Sequence, residues 1–336
     1  MSFVSIGDLS SGYRLQYHNA ALRRQADKLA LELASGRRTD IAAANRGDMA
    51  GLSAVSRALE VIGTYQTVLQ ETDTRATVVQ DALGLIQGMA QTSGPEFHVS
   101  ATSGSNPSVS TSGDNALANL SAVIGATNFQ VAGQFLFSGQ AVDTAPLADA
   151  NAILDRLETL TGGATTAADV SAIVSDFFNI SGGGFDTDIY QGSDTATGPT
   201  RISDSEVADL TVSAASPEIR GALEGFAKAA LISRGVLAGD VSEQAKLLGF
   251  AGQTLSRAAA GLVDTQARIG SVQQRIDTVR AQNAAGHTAA QIMMNDLTTA
   301  DPYVTATNLQ AVEGQLEALY IATSRLAQLS LTRYLG

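Results

Sequence analysis

The sequence has no cysteine and no tryptophan, and only 5% of its 336 residues are aromatic. Without cysteine it can form neither disulfides nor thiolate metal sites, although this does not fix a compartment. A chain so poor in large rings lacks the material for a thick globular core. Its abundance of Ala, Ser, Thr and Gly suits thin helical bundles whose backbones approach closely. Basic residues are also scarce: 21 Lys and Arg stand against 33 Asp and Glu, for a net charge of −12. The bases are scattered, whereas binding to phosphate needs them clustered, so no nucleic-acid partner is expected. Apolar runs are too short to cross a bilayer, so no membrane insertion is expected. The first eleven residues lack a basic stretch followed by an apolar one, the mark of an ordinary secretory signal. Gly-x-Ser-x-Gly, Walker A, Gly-x-Gly-x-x-Gly and His-Glu-x-x-His strings are absent. The expectation is therefore a protein that is not an enzyme, with no catalytic residue and no cofactor.

Heptads dominate what is present. From Val241 to Asn283, Leu248, Leu255, Leu262, Ile269 and Ile276 recur every seventh residue. Ala251, Ala258, Thr265, Val272 and Val279 lie three residues along. Alternation of three and four predicts a long helix with one buried seam. Asp240 followed by Glu243 reads as its capping box. A matching seam runs through Val55, Ile62, Leu69, Ala76 and Leu83, with Ala58, Tyr65, Thr72, Val79 and Ile86 beside it. Two such stripes, one from each half of the chain, most simply bury each other. Their leading residues (Val55, Ile62, Leu69, Leu83, Leu248, Leu255, Leu262, Ile269 and Ile276) are the expected bundle core.

The rest of the chain is arranged around these two helices. A first helix over about residues 8–34 carries Leu15, Leu22 and Leu29, and Gly36 stops it. The second helix starts near Asp48, and Gly94-Pro95 is expected to break it. The Ser-, Gly- and Thr-rich stretch 100–113 reads as a flexible link, followed by a helix over 114–131. Gln134 to Gly139 reads as a strand entering a turn. Short helices are expected over 148–160 and 167–178, a loop over 179–199, and a hairpin from strands 200–203 and 207–212. Ser216-Pro217 starts another helix, and Asp301-Pro302 starts the last. The pattern weakens through Gly286. The last helix has a stripe of Leu309, Val312, Leu316, Leu319 and Leu326. The fold class is mainly α: a long antiparallel coiled coil and bundle built from both chain ends, with a small α+β insert. The expected parts are terminal helices at 1–44 with 290–336, a bundle at 45–139 with 217–289, and an outer insert at 140–216.

The order of local strings resembles the flagellin-like axial proteins of the bacterial flagellum, and among them the hook-associated protein three family of hook–filament junction proteins. Leu33-Ala34-Ser35-Gly36-Arg37-Arg38 closes the first helix, and Gly47-Asp48 leads into the second. Phe135-Leu136-Phe137-Ser138-Gly139 and Tyr190-Gln191-Gly192-Ser193-Asp194 flank the insert. Ala300-Asp301-Pro302 and the run from Ala322 to Leu335 complete the set. The match covers about 140 residues at one end and 120 at the other. The chain lacks the Asn-rich opening of filament flagellins and departs from their ending, which favours the junction protein over flagellin, the alternative.

The resemblance implies an inner coiled coil of both termini, a bundle outside it and a variable outer domain. It also implies location in the extracellular flagellum after export without a cleaved signal. The implied partners are an export chaperone, neighbouring hook-associated protein and flagellin, and further copies in a ring or tube. On this reading Leu15, Leu22, Leu29, Leu309, Val312, Leu316, Leu319 and Leu326 form an assembly seam. Terminal helices with little else to cover them are expected to order on assembly.

Other features have plainer readings. Asp186, Asp188 and Asp194 lack the spacing of a calcium loop, so no metal ligand is assigned. His18, His98 and His287 do not share ligand spacing. Gly182 to Gly184 lacks the Lys of a phosphate loop, Arg37 and Arg38 suit the end of the first helix, and Phe135 and Phe137 suit a packed corner. A ligand-binding insert and a plain coiled-coil adhesin or phage fibre are the remaining alternatives. A seam split between the two halves of the chain argues against a simple parallel fibre.

Overall fold

The computed structural model describes residues 6–44 and 47–335, and the side chains within them except those of 6–9, 11 and 326–335. The protein is mainly α-helical, with long packed helices and two small antiparallel sheets among the described residues. It divides into two compact units, 1–63 with 284–336 and 64–283. Within segment 140–216, Leu147, Ile153, Leu157 and Phe178 share one apolar core with Leu120, Leu223 and Leu248 of the long helices.

The first unit holds α1 (Ile6–Ser35), α2 (Ile41–Ala44), the start of α3 (Ala50–Ser103), the end of α8 (Val241–Thr298) and α9 (Pro302–Leu335). Helices α1 and α9 pack on each other. The two terminal helices thus cover one another along one face within the chain. Gly36 takes a φ of 67°, which stops α1. The chain then bridges to the α8–α9 junction: Arg38 N–H donates to the Thr298 carbonyl at 2.8 Å, and Ala300 N–H to that of Gly36 at 3.0 Å. Asp301 caps α9 by accepting from Tyr303 and Val304 N–H, as the Asp-Pro signal predicts.

The second unit contains the remainder of α3 and α8. Its other helices are α4 (Asn106–Thr127), α5 (Ala150–Thr161), α6 (Ala167–Asn179) and α7 (Pro217–Ser233). Hairpin β1–β2 pairs Gln130–Val131 with Gln134–Phe135, and β3–β4 pairs Thr200–Arg201 with Val207–Ala208. Both strand expectations hold in shorter form. In the first hairpin Ala132 and Gly133 both have positive φ, the geometry that matches strand twist in a two-residue turn.

Helices α3 and α8 are antiparallel in this unit. Gly84 lies opposite Gln266, Gly94 opposite Gly252 and Ser256, and Ala101 opposite Gly249. Their seams are buried through Ala76, Val79, Leu83 and Ile86 on one side and Leu248, Leu255 and Leu262 on the other. Nearer the division, Leu69, Val272, Ile276 and Val279 form a second small core, which Ile202 and Ala208 of the β3–β4 hairpin cover.

Helix α3 does not break at Gly94-Pro95; it runs to Ser103. Pro95 is exposed, while Gly94 and Phe97 beside it are buried. Packing against α8 overrides the cost of the missing N–H. The stretch expected to be a link over 100–113 is mostly helical, with only Gly104 and Ser105 between α3 and α4. Its small residues are packing devices: a Cβ on Gly113 would lie 3.2 Å from the Ser233 backbone nitrogen of α7. Helix α8 continues unbroken past Gly286. Within the loop 179–199, Phe185–Ile189 forms a π-helical turn.

Helix α7 is the centre of this unit. Residues on every side of it are buried, from Ile219 to Ile232, with Glu224 and Lys228 among them. Ser216 has the backbone geometry of an N-cap but its hydroxyl does not cap, and Pro217 occupies the first turn. Asp240 caps α8 by accepting from Glu243 N–H at 3.0 Å. The other half of the expected box is redirected: Glu243 Oε2 accepts from Ala167 N–H at 2.7 Å and caps α6 instead.

Candidate assembly surface

The residues expected to form an assembly seam lie on α1 and α9, which pack on each other. Leu22 and Val312 are buried, and Leu15, Leu29, Leu309, Leu316 and Leu319 are half-buried. Leu326 lies outside the described side chains. Arg23 ties the two helices together: its Nη2 and Nε donate to the Tyr320 hydroxyl at 2.5 and 3.0 Å, and its guanidinium lies 5.7 Å from the ring centre. The Arg23 hydrogen bond holds the Tyr320 hydroxyl below the ordinary phenol range.

Several large side chains stay exposed on these helices. Among the described side chains, Tyr13, Tyr17, Tyr303 and Tyr320 lie exposed on α1 and α9. Tyr13, Tyr17 and Tyr303 are 76%, 75% and 82% exposed. Tyr13 and Tyr17 are one helical turn apart and so share a face. Val304 and Ile321 are also exposed on α9. Heptad reasoning did not single out these residues. Their signal was the concentration of Tyr near the chain ends.

The expected bundle-core residues fall as follows. Leu69, Leu83, Leu248, Leu255, Leu262, Ile269 and Ile276 are at most 1% exposed; Val55 is buried and Ile62 half-buried.

The acidic cluster is occupied by arginines. Asp186 Oδ1 accepts from Arg220 Nη2 at 2.5 Å, and Asp188 Oδ2 from Arg156 Nε at 2.9 Å. No group of three or more metal-ligating side chains converges among the described residues. Arg220 also donates to the carbonyls of Ala215 and Phe178, and its guanidinium sits 4.4 Å from the Phe185 ring centre. It thereby clasps the π-helical turn to the start of α7. His18, His98 and His287 stand apart on α1, α3 and α8. Phe137 is fully buried and Phe135 half-buried. Among the described residues no helix is long and apolar enough to cross a membrane.

Sequence reasoning also missed a buried polar network. On α7, Lys228 Nζ donates to Glu224 Oε1 at 2.6 Å and to Ser175 Oγ at 2.9 Å. Ser175 donates to the same carboxylate oxygen at 2.7 Å, and Asn179 Nδ2 donates to Oε2 at 2.9 Å. Burial pushes the Glu224 carboxyl up. The Lys228 charge and the hydrogen bonds from Lys228, Ser175 and Asn179 outweigh it and hold the group below its ordinary value. The available signal was a Glu and a Lys four apart inside an otherwise apolar run.

No protein-family model matches this sequence, and no curated protein does. Solved structures do. Superposition on FlgL of Bacillus cereus gives a TM-score of 0.50 at 11% identity, over 70% of this chain and 96% of that one. Superposition on a putative flagellar hook-associated protein of Vibrio parahaemolyticus gives 0.53 at 14% identity, over 73% and 95%. The chain has the fold of a flagellar hook-associated protein.

Proposed function

We propose that this chain is a structural axial component of the bacterial flagellum that joins hook to filament. The observation that carries the reading is the pair of terminal helices α1 and α9, which satisfy each other along one seam yet expose Tyr13, Tyr17, Tyr303, Val304 and Ile321. Scattered apolar residues are normal on a surface, but large rings gathered on two paired helices suit contact with another subunit. The fold it shares with hook-associated proteins supports the same reading. In this role the chain is extracellular, exported without a cleaved signal by way of a chaperone. It packs against further copies, a neighbouring hook-associated protein and flagellin, with segment 140–216 turned outward. The work is geometric and needs no catalysis: apolar faces buried on assembly hold the tube.

Immunogold labelling of intact flagella with antibody to 140–216 tests this. A single band where hook meets filament is the expected result. Labelling along the whole filament would make the chain a flagellin, and absence of label from flagella would remove the reading altogether. The residues involved are tested separately. Leu316→Asp and Leu319→Asp should block incorporation while unit 64–283 stays folded, since burying one Leu is worth about 1.5–3 kcal/mol. Normal incorporation of both would refute that role for α9.

A further inference from the structure

Helix α3 carries Thr72, Arg75 and Val79 at spacings of three and four, so they share one face. Thr72 and Val79 are buried, and Arg75 between them is half-buried. The first hairpin meets this face: Arg75 Nη2 donates to Gln134 Oε1 at 2.8 Å. Arg75, Gln134, Phe135 and Thr200 line a cavity of about 60 Å³. Thr197 and Gly198 line it too and are exposed, which gives it a rim open to solvent. One water needs about 10–15 Å³ of such space, so the cavity has room for about four to six heavy atoms.

The charge in this cavity is unmatched. The basic side chains of unit 64–283 that are buried or half-buried are Arg75, Arg220, Lys228, Arg234 and Arg280. Arg220 pairs with Asp186, Lys228 with Glu224, Arg234 with Asp155 and Arg280 with Asp73. Arg75 differs from the other four in having no acidic partner among the described residues; its acceptor is the neutral amide oxygen of Gln134. No Asp or Glu lines the cavity. Acids are not scarce in a chain of net charge −12, so their absence here is local. A charge partly withdrawn from water is normally paired. The guanidinium has five N–H groups in a planar fork that fits two oxygens of one oxyanion, and Gln134 takes one of them.

We propose that this cavity binds one small oxyanion, of the size of acetate or phosphate, held by the Arg75 guanidinium with the Thr200 hydroxyl as a further donor. The bound ion bridges α3, the first hairpin and the segment that enters β3, and so fastens both hairpins to the long helix. The proposal stands independently of the flagellar reading.

The test uses the full chain, with inorganic phosphate and acetate titrated separately against chloride at constant ionic strength. Binding to the folded state raises the melting temperature along a saturating curve. Exclusion of phosphate from the protein surface also raises it, but without saturation and without regard to Arg75. The expected result is a saturating rise with at least one of the two anions, and an affinity about tenfold or more lower in Arg75→Gln, the usual loss for a charge-assisted hydrogen bond. Equal curves for parent and variant overturn the proposal, and so does the lack of saturation with either anion, which leaves water as the occupant. Should Arg75→Gln fail to fold, the parent labelled with fluorophenylalanine decides by fluorine NMR, with Phe135→Leu assigning the signal of the ring that lines the cavity. That resonance must then move saturably with anion while Phe226, buried on α7, stays in place. A Phe135 resonance that does not move overturns the site.

Discussion

The closest approach of α3 and α8 makes a prediction whose sign differs from the ordinary rule. Replacing Gly by Ala within a helix normally stabilises by about 0.5–1 kcal/mol, because Gly loses more backbone entropy on folding. Gly270 of α8 has nothing within 4 Å of where a Cβ would stand, so Gly270→Ala should show that gain. Gly252, on the same helix, is different. A Cβ there would stand 2.7 Å from the Gly94 carbonyl oxygen of α3, 3.2 Å from His98 Cδ2 and 3.4 Å from Phe97 Cβ. The nearest atom is backbone within a helix, so it cannot turn aside as a side chain can. Forcing the helices apart costs about 1–3 kcal/mol by the usual penalty for overpacking. The propensity term is common to both variants, so their difference isolates the clash. Gly252→Ala should therefore be about 1–3 kcal/mol less stable than Gly270→Ala. Gly249→Ala, whose Cβ would meet Ala101 at an ordinary 3.8 Å, should behave like Gly270→Ala. Urea unfolding followed by circular dichroism at 222 nm measures all three. If Gly252→Ala unfolds at the same urea concentration as Gly270→Ala or higher, the helices do not meet at this point and the reasoning fails.

Three further outcomes are expected. The folded-state pKa values of Glu224 and Glu243 are depressed, the latter chiefly by the hydrogen bond from Ala167 N–H. Their contribution to stability is complete above the ordinary glutamate range and is lost as pH falls through the lowered values; melting temperatures from pH 7 to 3 should fall, and Glu224→Gln should flatten the decline. Arg220→Lys keeps the charge but loses the fork that reaches Ala215, Phe178 and Asp186, costing about 1.5–3 kcal/mol; proteolysis should then cut within 180–200 faster than in the parent, and an unchanged rate would deny the clasp. Tyr17→Ser and Tyr303→Ser remove rings that are mostly exposed in the single chain, so melting should hold within about 0.5 kcal/mol while incorporation into flagella drops; a matched fall in melting would assign those rings to folding instead.

Local periodicity was enough to establish that long helices form and which stripes they bury. Leu248 to Ile276 repeats every seventh residue, and a helix places such residues on one face wherever it sits. The caps at Asp240 and Asp301 and the turn at Gly36 were readable for the same reason: their effects act within a few residues. What lay out of reach depended on distant neighbours. Pro95 looks like a break until α8 packs over Gly94 and Phe97. The Ser- and Gly-rich run from 100 to 113 looks like a link until α7 comes close enough to need Gly113. Nothing local to Glu243 says that its carboxylate caps α6, and nothing local to Asp186 says that Arg220 claims it. Nor does anything local to Ile153, Leu157 or Phe178 say that they share a core with Leu223 of α7. The sequence by itself determined helices and their apolar faces, because backbone hydrogen bonding and side-chain period are local. The tertiary structure alone decided which small residues are contacts, where each charge is satisfied and which rings stay exposed, because those depend on which surfaces meet.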